Sequence, residues 1–112
     1  MGDRGNICIQ EKENKIFFYS HWTGYDLFDV LQEALKRGRG RWDDEPYLAR
    51  IIFCEMIKND VMGNTGFGIS TYQTDNEYPI MFVDSKTQTV SIDDEEWSFQ
   101  EFIELEDDPR RS

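Results

Sequence analysis

The apolar residues of this chain change period twice, and that change limits the possible folds more than any other feature. Before residue 23 and after residue 66 they fall in short alternating or aromatic-rich runs, the pattern of strands. Between 27 and 59 they recur every three or four residues, the pattern of helices. The middle of the chain is therefore a helix pair, with strand-forming sequence on either side.

Ile7 and Ile9 alternate with Cys8 and Gln10, Glu11-Lys12-Glu13-Asn14 is turn-like, and Ile16-Phe17-Phe18-Tyr19 follows. The pattern predicts a β-hairpin over 7–22, with Asn14 supplying a left-handed turn residue. Thr23-Gly24-Tyr25 breaks the strand, and Asp26 is placed to cap a helix carrying the stripe Leu27, Phe28, Leu31, Ala34 and Leu35. Lys36 and Arg37 suit its C-terminal dipole, and Gly38 suits its end. Asp43 or Asp44 is the expected cap of a second helix over about 46–59, with Pro46 in its first turn. That helix is roughly 21 Å long at 1.5 Å per residue. Residues 67–72, 80–83 and 89–92 read as strands. Ser98 and Glu101 form a capping box ahead of Phe99, Phe102, Ile103 and Leu105.

The order ββααβββα implies an α+β fold: an antiparallel sheet of about five strands with two helices on one face. At 112 residues and 13.3 kDa the chain is one domain. It is expected to span 1–105, with 106–112 a frayed acidic and basic tail. A chain this long buries somewhat over ~60% of its unfolded surface, enough for a core without disulfides or metals. No apolar run approaches the ~20 residues of a membrane span, and no secretory leader is apparent, so the expected setting is cytoplasmic. Cys8 and Cys54, the two cysteines, are distant and read as reduced core residues.

Twenty-three acids oppose twelve bases, a formal charge of −11. That balance argues against direct nucleic-acid binding, which needs clustered Lys and Arg. Nine acids and two arginines in residues 93–112 give that segment −7 of the total. Asp93, Asp94, Glu95, Glu96, Asp107 and Asp108 are the candidate partner-binding residues. Their plain reading is a solvated terminus, and their functional reading is a surface that imitates phosphates for a basic protein.

No nucleophile elbow, phosphate-binding loop or zinc motif occurs, and no metal or cofactor is expected. The glycines of 63–68 precede a strand and read as a linker. Asp43-Asp44-Glu45 reads as a helix start rather than a metal site. Glu55, inside an apolar helix, is either solvent-facing or a buried carboxylate needing a partner such as Arg50 or a strand hydroxyl. His21, Trp22 and Tyr25 at the end of the hairpin, with Arg39, Arg41 and Trp42 between the helices, are candidate ligand residues. If the two groups meet, they form a stacking and guanidinium rim suited to a nucleotide. Otherwise the tryptophans plug the core and the arginines pair with Asp43 and Asp44.

Met1-Gly2-Asp3-Arg4-Gly5-Asn6-Ile7, His21-Trp22-Thr23-Gly24, and Arg41-Trp42-Asp43-Asp44 running into Tyr47–Ile52 resemble small uncharacterised bacterial and phage proteins. Those proteins begin Met-Gly-x-Arg and carry a His-Trp-x-Gly element. The resemblance covers about residues 1–92 and implies a prokaryotic or viral setting, with no activity attached.

The expectation is a non-enzymatic, phage- or mobile-element-encoded binding protein that inhibits or titrates a host-defence or other host factor through its acidic surface. A nucleotide-sequestering protein using the rim is the alternative. A small nucleotide hydrolase is the second alternative, with His21 as acid or base, Arg4 or Arg41 as clamp, and Tyr25 or Glu55 as auxiliary acid. An exposed edge strand leaves a homodimer open.

Overall fold

The computed structural model describes residues 2–111. Two strands, β1 (Gly5–Glu11) and β2 (Asn14–Ser20), form the expected hairpin, with Glu11 opposite Asn14 and Gly5 opposite Ser20. This register leaves a two-residue turn. Lys12, not Asn14, carries its positive φ of 58°, and Asn14 already belongs to β2.

Helices α1 (Leu27–Arg37) and α2 (Glu45–Ile57) follow. Neither start is capped as expected, because no side-chain bond reaches the helix from Asp26 or Asp44. A 3₁₀ turn at Gly24–Asp26 leads into α1, and Asp44 faces Arg41 instead, at 3.6 Å. Strands β3 (Phe67–Ser70), β4 (Met81–Asp84), β5 (Thr89–Ile92) and β6 (Glu95–Ser98) precede α3 (Phe99–Ile103). Ser98 and Glu101 close the capping box at α3.

The described residues form an α+β fold, with a six-stranded sheet of order β3-β2-β1-β4-β5-β6 and three α-helices. The sheet is mixed: β1 and β4 run parallel, Ile7 beside Met81 and Ile9 beside Val83, while every other pair is antiparallel. The expected antiparallel five-strand sheet is corrected on two counts. The extra strand, β6, follows the two-residue turn Asp93-Asp94, where Asp93 adopts φ 53°. The parallel pair arises because the chain leaves β3 at one edge, passes β2 and β1, and re-enters on the far side of β1. Three strand spacings are about 14 Å. Residues 71–80 cover that span easily, since ten residues reach up to about 33 Å.

One face of the sheet carries the main core. Ile7, Ile9, Phe18, Met81, Val83, Val90 and Ile92 pack there against Leu31 and Leu35 of α1, Leu48 and Ile52 of α2, and Phe99 and Phe102 of α3. On the other face Cys8, Phe17 and Ile80 form a small second cluster, with Phe82 beside it. Cys8 is buried as expected, whereas Cys54 is exposed. Among the described residues no helix is long and apolar enough to cross a membrane.

The C-terminal segment is docked, which corrects the expected fraying over residues 106–111; Ser112 lies outside the described residues. Asp108 and Arg110 are buried against each other. Arg110 donates from Nη1 to the Gly24 carbonyl and from Nη2 to the Tyr25 carbonyl, both at 3.0 Å. These bonds tie the tail to the entry of α1. Breaking one partner of a buried pair strands the other, at a cost of up to about 3–5 kcal/mol. Peeling of the tail into water lowers that figure. Asp108→Ala is therefore expected to lower the denaturant midpoint clearly, while Asp107→Ala, at an exposed site, leaves it near wild type; equal midpoints for the two variants would show that the tail bears no load.

Candidate functional site

The start of β1 and the end of β2 lie side by side, and they gather the first polar site. Asp3 donates its backbone N–H to the His21 carbonyl and accepts from the Gly24 N–H, both at 2.7 Å. A Cβ on Gly24 would stand 2.7 Å from the Asp3 carbonyl oxygen, so only glycine allows this approach. Thus two segments that carry the sequence resemblance, around Asp3 and around His21, are one structural unit. His21 Nδ1 shares a hydrogen with the Tyr19 hydroxyl at 2.7 Å, and the edge of Trp22 meets the His21 ring at 4.2 Å between centroids. Trp22 does not plug the core; it is 58% exposed and lies against Gly66. Tyr25 is covered on one side by the Arg111 guanidinium, 3.7 Å from its ring centre.

The 71–80 crossover closes over this end. Arg4 donates to Glu77 at 3.0 Å and to Asp75 at 3.2 Å, and the Glu77 N–H returns a bond to the Arg4 carbonyl. Asn6, fully buried, donates its amide to the Asp75 carbonyl and the Asn76 side chain, each at 3.2 Å, and accepts from Thr74. The Tyr78 hydroxyl donates to Asp3. Sequence reasoning missed Asp3, Asn6, Asp75, Glu77 and Tyr78, because their partners lie about seventy positions away in the chain.

The second group sits at the other end of α1. Eleven residues at 1.5 Å place Arg39, Arg41 and Trp42 roughly 16 Å along the helix from Tyr25. The six candidates of the nucleotide rim are therefore not brought together. Trp42 does plug the core: its indole N–H donates to the Leu35 carbonyl at 2.9 Å and its ring abuts Phe99. Arg39 lies over Trp42 and bonds Gln100, not Asp43 or Asp44. Of the hydrolase candidates, Arg4, His21 and Tyr25 lie at one end of the fold around Asp3, while Arg41 and Glu55 lie away from it. Arg4 is held by its two carboxylates, and Glu55 is buried on α2 between Arg37 at 2.9 Å and Lys58 at 2.8 Å. Arg37, not Arg50, is the arginine that Glu55 needed.

The acidic candidates divide. Asp93, Asp94, Glu95 and Glu96 are exposed on the β5–β6 turn and along the sheet's edge strand, and none has an ion pair or a side-chain hydrogen bond among the described residues. Asp107 is exposed beside Asp29 and Glu106. Asp108 is withdrawn from any surface by Arg110 and Arg111. Among the described residues no group of acids, histidines or cysteines has the arrangement of a metal site.

The ionisable groups follow these contacts. Burial pushes the Glu55 carboxyl upward, but the bonds from Lys58 and Arg37 outweigh it and the net shift is down. The Arg4 bond holds Glu77 below the usual carboxylate range. Tyr78 is pushed up to about 12, first by its bond to Asp3 and then by burial. No protein-family model matches the chain, and no curated protein and no solved structure matches it either.

A phenol raised in the fold stabilises the protein below its ordinary value of 10 and loses that contribution as pH climbs through the folded value. Spectrophotometric titration is thus expected to show the slowest of the five tyrosines ionising near pH 12, and Tyr78→Phe to remove that phase. Retention of the phase in the variant would contradict the Asp3–Tyr78 contact.

Proposed function

We propose that the protein is a non-enzymatic binding protein that takes a partner of basic surface on its β5–β6 edge and thereby blocks or titrates it. The observation that carries this reading is the run of four consecutive carboxylates, Asp93 to Glu96, exposed and without an ion pair among the described residues. What distinguishes the run is its density at one edge; the acids that the fold buries or uses to hold the crossover are paired instead, Glu55, Glu77 and Asp108 each holding a guanidinium within 3.2 Å. Charge left uncompensated at an edge strand raises the encounter rate with a cationic surface and sets the orientation of docking. It also keeps the edge from pairing with further strands, a role that such charges play in many sheets. The two roles differ in what a reversal does.

The β6 backbone gives the acids a fixed spacing. Glu95 and Glu96 are consecutive strand residues and point to opposite faces, so a partner that wraps the edge meets both. Asp93 is set apart, because its left-handed backbone suits aspartate and a substitution there disturbs the turn.

The test reverses Asp94, Glu95 and Glu96 to Lys and leaves Asp93 and Asp108 alone. Wild-type protein immobilised at low salt is expected to retain a cationic protein from its native cell extract, and to release it as salt rises. The triple variant is expected to bind that protein at least about tenfold more weakly. Equal retention by both forms would reject the acidic edge, and a variant that aggregates without losing binding would assign the charges to edge protection alone.

A further inference from the structure

Three arginines converge on a groove beside the outer face of α2. Arg37 reaches it from the last turn of α1, Arg41 from the short 3₁₀ turn between the helices, and Arg50 from α2 itself. Tyr47, Ile51 and Cys54 complete the lining. With Arg50 they stand at helix positions i, i+3, i+4 and i+7, which is one continuous face. The groove holds about 380 Å³, within the range of small-molecule sites.

The charge of this groove runs against the rest of the molecule. In a chain with 23 acids and 12 bases, a surface arginine should find a carboxylate easily. Arg50 is exposed and has no ion pair among the described residues. Arg37 gives Nε to Glu55 and Nη2 to the Ile51 carbonyl, which leaves Nη1 unassigned. Arg41 lies 4.8 Å from the Tyr47 ring centre and meets Asp44 only at 3.6 Å. Three guanidiniums thus line one space, one of them unpaired and the other two each held by a single carboxylate, so the groove has an excess of positive charge.

We infer that this groove binds a small phosphorylated ligand bearing a flat ring, of the nucleoside phosphate class. Planar guanidiniums match phosphate oxygens two at a time, which a lysine cluster does not. The Tyr47 ring and the Ile51 side chain supply the apolar contact for the ring. The site is separate from the acidic edge. Of the candidate ligand residues named from the sequence it contains only Arg41, and it does not depend on the proposed protein partner.

Cys54 reports directly on occupancy, because it lies exposed in the lining while the other thiol, Cys8, is buried. Burial also pushes the Cys8 thiol up to about 11, so that a mild aromatic disulfide reagent modifies Cys54 alone at neutral pH. AMP and ATP are expected to slow this modification saturably at matched ionic strength. Arg50→Gln, which removes an unpaired exposed side chain and leaves the fold intact, should raise the half-protecting concentration about tenfold or more. Arg111→Gln, outside the groove, should leave it unchanged.

Four results would overturn the assignment. The first is no protection by millimolar ATP beyond that of potassium chloride, and the second is equal protection in Arg50→Gln. Inorganic phosphate protecting as well as AMP would remove the ring contact from the proposal. Duplex DNA protecting at a lower phosphate concentration than ATP would give the groove to nucleic acid.

Discussion

β1 is buried on both faces and paired on both sides, and the rest of the architecture depends on that placement. Its odd-numbered residues Ile7 and Ile9 face the helices, and its even-numbered residues Asn6 and Cys8 face the opposite side. A strand in this position needs a partner on each edge. β2 comes from a two-residue turn, but β4 arrives only after the chain has traversed the helices, β3 and the crossover. The parallel pairing is therefore non-local, and it depends on how the crossover is held. Asn6 is a buried side chain whose partners all lie in that crossover, at Thr74, Asp75 and Asn76. Arg4 and Asp3 add charged contacts to Asp75, Glu77 and Tyr78 at the rim. Polar groups of the loop that would lose water on closing over the sheet thus receive replacements from β1 and the residues before it.

The same logic of compensation divides the charged residues. Where a carboxylate is buried, a guanidinium or ammonium follows it, as Arg37 and Lys58 follow Glu55 and as Arg110 follows Asp108. These pairs satisfy a requirement of burial and say little about function. What burial does not require is more informative. Among the described residues four acids along β6 and its turn have no ion pair, and three arginines beside α2 line a shared groove, Arg50 without a carboxylate partner. The two features lie on opposite sides of the sheet's order, since α2 packs through Phe53 on Phe18 of β2 while β6 is the far edge. A molecule of this kind offers two surfaces of opposite sign, one suited to a cationic protein and one to a small anion.

Much of the fold was readable because it rests on local rules. The stripe from Leu27 to Leu35, Pro46 at the head of α2, and the reciprocal bonds of Ser98 and Glu101 all follow from spacing within a few residues. β6 was not readable, since Glu95, Glu96 and Ser98 have no apolar alternation and their strand forms only because a two-residue turn returns them onto β5. The parallel pair was equally hidden, because no local pattern states which side of β1 the chain will rejoin. Among the candidate residues, Asp108 and Asp107 are neighbours of the same type with opposite fates, decided by the docking of Arg110 onto Gly24 and Tyr25. The arginine groove was half legible: Tyr47, Arg50, Ile51 and Cys54 show helical spacing, but their apposition with Arg37 and Arg41 is a consequence of how α1 meets α2.

The anchoring of the crossover by the start of β1 is tested most directly by amide hydrogen exchange on Asn6→Ala. Loss of the buried side chain removes its hydrogen bonds to Thr74, Asp75 and Asn76, each worth about 0.5–1.5 kcal/mol net. If the crossover and the β1–β4 pairing are one unit, residues 74–84 lose protection together. The β1–β2 hairpin and α1 then keep theirs to a higher free energy. Equal loss across every element, or unchanged protection of Met81 to Asp84, would contradict it.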